Sequence, residues 1–175
     1  MTPLSLERPC LVGVVHLGAL PGAPGFAGDL DRVVERAVTD AVVYRDSGFT
    51  GIVIENLGDL PFYAETVAAE TVAAMARVGT EVRQAVGAEF PLGFNVLRND
   101  AASALGLCAA CDGAFLRVNV HTGAMVTDQG VWVCPILVNR PAGRMGARLA
   151  DSLEAYPLRH QACWTCHVEG ATCRT

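Results

Sequence analysis

The chain has 175 residues, is 51% hydrophobic and carries a formal net charge of −5 at pH 7. This suffices for one domain with a sizeable core, but the chain is shorter than the roughly 200 to 250 residues of a complete (β/α)8 barrel. Its basic residues are all Arg and are scattered, which predicts no nucleic-acid partner. It has neither an apolar run as long as a membrane span nor a signal-peptide pattern, so we expect a cytoplasmic protein without an integral membrane segment.

Strand-like and helix-like segments alternate up to about residue 130. An apolar, Val-rich run over 10–17 predicts a buried strand, and apolar residues at helical spacing predict a helix over 29–47 that Gly48 ends. A second strand follows at Gly51–Glu55. The later elements are a helix over 65–86 containing a tandem Glu-Thr-Val-Ala-Ala duplication and closed by Gly87, a strand over 91–96, a helix over 101–111 capped by Asp100, and a strand over 113–120.

This order predicts an α/β fold with a parallel sheet. Four successive strand–helix units without a Gly-x-Gly-x-x-Gly turn after the first strand favour part of a (β/α)8 (TIM) barrel over a dinucleotide-binding fold. We therefore divide the chain into a half-barrel over 1–130 and an atypical C-terminal tail over 131–175.

The tail has no clear alternation of strands and helices, and it holds four of the seven Cys residues. Residues 163–167 read Cys-Trp-Thr-Cys-His, the pattern of covalent haem attachment, and together with Cys173 they could instead make a zinc site. Haem attachment takes place outside the cytoplasm, and a Cys-rich segment produces such spacings by chance. We therefore predict no metal and no cofactor.

Polar side chains gather where each predicted strand ends, which is where the chemistry of parallel α/β proteins collects. Strand alternation places His16, Glu55 and Asn95 on the face opposite the helices, and Arg117, Asn119 and His121 share one face of the fourth strand. We assign acid–base catalysis to Glu55, with His16 and His121 as alternates. The predicted binding residues are Asn56, Asp59, Asn95, Arg98, Asn99, Asp100, Arg117, Asn119, Asp128 and Gln129.

Each of these residues also has a purely structural interpretation. His16 could be a core histidine, and Asp100 could simply cap a helix. Glu55 is harder to explain this way, because a buried carboxylate is costly unless it is paired. Its natural partner is Arg117, so a structural ion pair is the main alternative to catalysis.

The same motifs resemble the BtpA/SgcQ family. The resemblance rests on Gly13-Val14-Val15-His16-Leu17, Ile54-Glu55-Asn56, Asn95-Val96-Leu97-Arg98-Asn99-Asp100, Arg117-Val118-Asn119-Val120-His121 and Thr127-Asp128-Gln129-Gly130, which occur in family order over residues 10–130. It implies a barrel of the ribulose-phosphate-binding type. It also implies a role in photosystem I biogenesis, as for cyanobacterial members, or an enzymatic role on sugars or phosphosugars, as suggested for other members.

The resemblance stops near Gly130, where family members continue with blocks that contain Lys. Our hypothesis is that the reading frame shifts there, which would make the tail out-of-frame or disordered. An open four-stranded sheet leaves unpaired edges, so we expect either aggregation or pairing with a second copy. The sequence thus supports three readings: an enzyme with a sugar or phosphosugar ligand, a biogenesis factor without chemistry, and an inactive half-barrel fragment.

Overall fold

A computed structural model describes residues 10–63 and 66–119, together with the backbone of 124–127 and 130–133. The chain divides into two compact units, Met1–Val118 and Asn119–Thr175. The elements of the first unit, in order, are β1 (Val12–His16), α1 (Leu30–Asp46), β2 (Gly51–Glu55), α2 (Ala69–Val86), β3 (Leu92–Asn95), α3 (Ala101–Ala110) and β4 (Phe115–Leu116). The second unit contains β5 (Ala124–Thr127) and β6 (Gly130–Val133).

The helices begin and end at the residue types that favour those positions. Asp29 caps α1, where its side chain accepts a hydrogen bond of 3.0 Å from the backbone N–H of Arg32. Gly48, with φ +83°, lies just beyond the end of α1, and Gly87, with φ +88°, closes α2. Both values lie in the left-handed region that glycine adopts at little cost. The predicted ends of α1 and α2 are therefore confirmed.

The first unit is a parallel sheet with strand order β1-β2-β3-β4, the same as the order along the chain. All three helices contribute to one hydrophobic core with alternate residues of the strands, including Val15, Ile52, Ile54 and Phe94. The helices therefore pack on one face of the sheet. The predicted α/β class with a parallel sheet is confirmed, and sequential order with helices on a single face is consistent with part of a barrel.

Helix α2 comes so close to the sheet that Gly79 is needed. A Cβ at Gly79 would lie 2.6 Å from the ring of Phe94 and 2.9 Å from Cys111 Sγ. This close approach holds α2 against Phe94 of β3, the residue before Asn95.

Two predicted boundaries are wrong, and one pair of strands was not predicted. Helix α2 begins at Ala69, later than residue 65, because Ala68 is extended with φ −68° and ψ 155°. Strand β4 ends at Leu116, well before residue 120, and its two residues pair with Gly93 and Phe94 of β3. Strands β5 and β6 form an antiparallel pair in which Thr127 lies opposite Gly130, in a region where we predicted no strands.

Several predictions lie outside the described residues, namely those for His121, Asp128 and Gln129 and for the motif over 163–167. The division of the chain at residue 130 and the shifted reading frame stay predictions. In the part of the chain that the structure describes, no helix is long and apolar enough to cross a membrane.

Candidate functional site

Three of the predicted site residues form a single row across the sheet. The register of the parallel strands pairs His16 with Glu55 and Glu55 with Asn95, each at the carboxyl end of its strand. Neighbouring residues in one row of a parallel sheet point to the same face. This face is opposite the one on which Ile54 and Phe94 pack against the helices, as the alternation of the sequence predicts.

Glu55 is the centre of the row. Its carboxylate is 6% exposed, and Oε2 accepts a hydrogen bond of 2.5 Å from Asn95 Nδ2. Arg117 follows β4 and donates from Nη1 to the same oxygen at 3.3 Å. The predicted contact between Glu55 and Arg117 is thus present, and it brings a strand-end cation to a buried carboxylate that would be costly alone.

The second oxygen of Glu55 has a different environment. Oε1 lies 3.7 Å from His16 Nε2, which is beyond ordinary hydrogen-bond length. The His16 side chain is about half exposed, whereas that of Glu55 is buried. One oxygen of Glu55 is therefore fixed by two donors, while the other faces a side chain that reaches solvent.

Asn95 is fully buried and uses only part of its hydrogen-bonding capacity. Its Nδ2 donates to Glu55, but its Oδ1 has no hydrogen-bond partner among the described residues. Nearly all buried polar atoms in proteins are satisfied, and exceptions concentrate at functional positions. The end of β3 thus combines a buried acid with an unsatisfied amide oxygen.

Asn56 and Asp59 connect the three loops that follow β1, β2 and β3. Asn56 Oδ1 accepts a bond of 2.7 Å from the N–H of Leu97, and Asn56 Nδ2 donates to Asp59 Oδ2 at 3.0 Å. Asp59 Oδ1 accepts a bond of 2.7 Å from the N–H of Leu20. Both side chains are buried. We predicted them to be binding residues, and in this structure their polar atoms hold the loops around Glu55.

Asp100 caps α3, as its structural interpretation predicts. Its Oδ1 accepts from the N–H of Ser103 at 2.9 Å, and Oδ2 accepts from the Ser103 hydroxyl at 2.7 Å. Oδ2 also accepts from the N–H of Val67 at 3.0 Å, which ties the loop before α2 to α3. Asp100 therefore positions two loops at the edge of the site.

Three more of the predicted residues belong to the described part of the chain: Arg98, Asn99 and Asn119. The Arg98 guanidinium lies 4.8 Å from the centre of the Phe62 ring, a cation–π contact. Asn99 precedes the cap of α3 and is partly buried. Asn119 belongs to the second unit. Among the described residues, no group of three or more His, Cys, Asp or Glu side chains could hold a metal ion.

A cavity of about 310 Å³ lies beside this cluster, between the loops after β1 and β2 and the first turn of α2. Asp59 lines it, and so do residues that sequence analysis did not select. The most relevant of these are Gly22, Phe62, Tyr63 and Thr71. These residues share no motif or regular spacing in the sequence, because most of them come from loops and not from one helix or strand.

Cys108 of α3 and Cys111, the residue that follows α3, are both buried. Cys108 donates to the carbonyl of Phe115, and Cys111 donates to that of Ala76. Burial raises the pKa of both thiols. A raised pKa leaves little thiolate at neutral pH, so these side chains act as small apolar residues in the core.

Fold and site together define a parallel α/β protein with a polar cluster at the strand ends, built around one buried carboxylate. The chain belongs to the BtpA family, which it matches over residues 7–138. The match extends beyond Gly130, where we placed the end of the resemblance. It confirms the family that the sequence motifs indicated.

Relatives include an uncharacterized protein of Pyrococcus horikoshii, 49% identical over 121 residues. Those residues are 69% of this chain and 46% of the relative. The photosystem I biogenesis protein BtpA of Synechocystis is 43% identical over 121 residues, which are 69% of this chain and 42% of that protein. A protein of Escherichia coli named SgcQ is 35% identical over 124 residues, which are 70% of this chain and 44% of that protein. The chain thus spans about half the length of the curated relatives it matches.

Proposed function

We propose that the strand-end cluster is the acid–base site of an enzyme that acts on a sugar or phosphosugar. The observation that supports this most is the asymmetry of Glu55. Oε2 is held by Asn95 and Arg117, while Oε1 faces His16 and the side reached by solvent. A carboxylate held in one orientation with one oxygen available is suited to accepting a proton from a ligand and returning it.

The neighbouring residues take roles that match their chemistry. Arg117 is half exposed at the rim and binds an anionic group of the ligand, together with Arg98. Asn95 and Asn119 orient the ligand by hydrogen bonds. His16 and His121 are the alternate proton carriers, because an imidazole nitrogen can accept a proton from a ligand and return it. Three further residues fix the loops of the proposed site: Asn56, Asp59 and Asp100. The proposed site is completed by Asn99, Asp128 and Gln129.

The proposed architecture is half of a (β/α)8 barrel of the ribulose-phosphate-binding type. Sequential strand order and helices on one face support this, since a doubly wound sheet reverses its strand order and places helices on both faces. In such barrels the active site lies at the carboxyl ends of the strands, where Glu55 is found.

The test is ligand-dependent proton exchange in D2O. The 175-residue chain is incubated with ribulose 5-phosphate, xylulose 5-phosphate and fructose 6-phosphate, and loss of C–H signals beside the carbonyl is followed by proton NMR. We expect exchange with at least one compound and a loss of about 100-fold or more in Glu55→Gln. The matched control is Glu81→Gln, an exposed glutamate of α2, which should retain the exchange.

A second candidate function is suggested by the relative from Synechocystis, which is named a photosystem I biogenesis protein. As a biogenesis factor, the chain would bind a membrane-protein complex without chemistry. Binding to such a complex that is equal in wild type and Glu55→Gln, without sugar-dependent exchange, would favour this candidate.

The third candidate is an inactive half-barrel. The chain spans about half of its curated relatives, and an open parallel sheet exposes unpaired backbone groups at its edges. In this case the chain pairs with a second copy or aggregates, and it shows neither exchange nor partner binding. A monodisperse, cooperatively melting monomer in sedimentation and calorimetry would contradict it.

A further inference from the structure

The cavity beside the Glu55 cluster has the size and walls of a small-molecule site. Its volume of about 310 Å³ is at the lower end of the range for ligand pockets, roughly 300 to 1,000 Å³. Pro61, Phe62 and Tyr63 give it apolar walls from the loop after β2, and Tyr63 is 48% exposed. The other sides are the loop after β1 at Gly22 and the first turn of α2 at Thr71.

Two buried polar side chains belong to the lining. Thr71 is 4% exposed, and its hydroxyl makes no hydrogen bond to any residue in the described part of the chain. Asp59 is 8% exposed, and each of its carboxylate oxygens accepts one bond, from Leu20 and from Asn56. A carboxylate has about four acceptor positions, so Asp59 can accept further bonds. The cavity thus offers one hydroxyl and one carboxylate.

The charges around the cavity disfavour an anion. Asp59 is in the lining, and the carboxylate of Glu70 lies over Gly22, where a Cβ would come within 2.9 Å of Glu70 Oε1. Arg98 contacts the Phe62 ring and does not belong to the lining. A phosphate would therefore be repelled here, whereas an uncharged group with several hydroxyls would donate to Asp59, exchange bonds with Thr71 and pack on Tyr63.

We infer that this cavity binds the uncharged, hydroxylated part of a sugar ligand, with Thr71, Asp59 and Tyr63 as its contacts. The inference rests on the proposed function and gives its ligand two parts. The anionic end is held near Arg117, and the hydroxylated end lies in the cavity. Asn56 connects the two regions, because it follows Glu55 in the chain and donates to Asp59.

The test uses uncharged sugars on the full 175-residue chain. Binding of D-ribose, D-xylose, D-fructose and xylitol is measured by saturation-transfer NMR, with D-glucosamine and inorganic phosphate as charged comparisons. We expect saturable binding of at least one uncharged sugar, weakened roughly three- to tenfold in Thr71→Val, the effect of losing one hydrogen bond. Thr71→Ser keeps the hydroxyl and should bind like wild type. Thr80→Val, an exposed position of α2, is the matched control.

Three results would overturn the inference: no saturable binding of an uncharged sugar, preferential binding of glucosamine or phosphate, or binding that is equal in Thr71→Val and wild type. Circular dichroism melts show whether each variant is folded. If Thr71→Val is not folded, Thr71→Ala removes the same hydroxyl with a smaller side chain and takes its place. Proton exchange that depends on Glu55 but not on Thr71 would reject the cavity and leave the proposed function standing. Thr71-dependent sugar binding without proton exchange would support the cavity as a sugar site and reject the proposed acid–base function.

Discussion

Asn95 donates a hydrogen bond of 2.5 Å from Nδ2 to Oε2 of Glu55, the residue beside it in the neighbouring strand. Both side chains are buried, so a change at Asn95 acts on the carboxylate without solvent to screen it. The amide is neutral and donates, so it stabilises a carboxylate beside it. A second carboxylate in place of the amide would repel the carboxylate of Glu55.

Asn95→Asp should therefore reduce stability in a pH-dependent way. Two adjacent buried carboxylates raise the pKa of one of the pair by about two units or more, equivalent to about 3 kcal/mol at neutral pH. Because that folded-state pKa lies above its unfolded value, the loss is complete above the raised pKa, shrinks as pH falls through it, and vanishes near pH 4. Urea unfolding of the variant and the wild type from pH 4 to 8 measures this difference in the free energy of unfolding. Gln84→Glu, at an exposed site of α2, should show no such dependence.

Gly58 and Gly106 form a matched pair for testing the loop packing around the site. A Cβ at Gly58 would lie 2.3 Å from the N of Ala19 and 2.5 Å from the C of Gly18, both backbone atoms. Gly58→Ala should thus cost about 1 to 3 kcal/mol in the free energy of unfolding. A Cβ at Gly106 in α3 would meet no neighbouring group within 4 Å. Gly106→Ala should therefore raise the free energy of unfolding by up to about 1 kcal/mol through helix propensity. Equal effects of the two substitutions would contradict the loop contact.

Asp59 tests the connection between the loops. Asp59→Ala leaves the N–H of Leu20 and the amide of Asn56 without their acceptors, which should cost about 2 to 4 kcal/mol. Asp46→Ala is the control, since Asp46 is exposed and forms a surface ion pair with the neighbouring Arg45, and its loss should be under about 1 kcal/mol. Chemical denaturation measures both. A cost for Asp59→Ala as small as that of the control would show that the loops are held in another way.

The buried thiols should make stability fall at alkaline pH. Burial raises the pKa of Cys108 and Cys111 in the folded state above their unfolded values. Their contribution is therefore complete below the ordinary thiol pKa of about 8.5 and is lost as pH rises above it. The free energy of unfolding, measured from pH 7 to 10, should decline less steeply in a Cys108→Ala, Cys111→Ala double variant than in wild type. Parallel pH profiles would refute this.

The sequence predicted the row of site residues because that row follows from local rules. Strand β2 was placed correctly at Gly51–Glu55, and period-two alternation then fixes the face of Glu55. The equivalent positions of His16 and Asn95 follow from their places at the ends of β1 and β3. Arg117 near Glu55 was predicted from charge alone, because a buried acid needs a partner.

Long-range contacts account for what was missed. The two copies of the duplicated segment have the same helix propensity, so nothing local marks the start of α2 at Ala69. That start is fixed from elsewhere, since Val67 donates its N–H to Asp100. The connection through Asn56 and Asp59 and the cavity at Thr71 likewise depend on loop geometry. The pair β5 and β6 had no clear local signal either, because the two residues between its strands, Asp128 and Gln129, are not one of the Gly-containing pairs typical of a two-residue hairpin.

If the Glu55 carboxylate transfers the proton, a small soluble carboxylate should be able to replace it, and chemical rescue measures this. Glu55→Ala removes the carboxylate, and added formate supplies one of similar chemistry. We expect Glu55→Ala to lose sugar-dependent deuterium exchange, and formate, but not chloride at equal ionic strength, to restore part of it. Exchange in Glu55→Ala at the wild-type rate, without formate, would show that Glu55 does not transfer the proton.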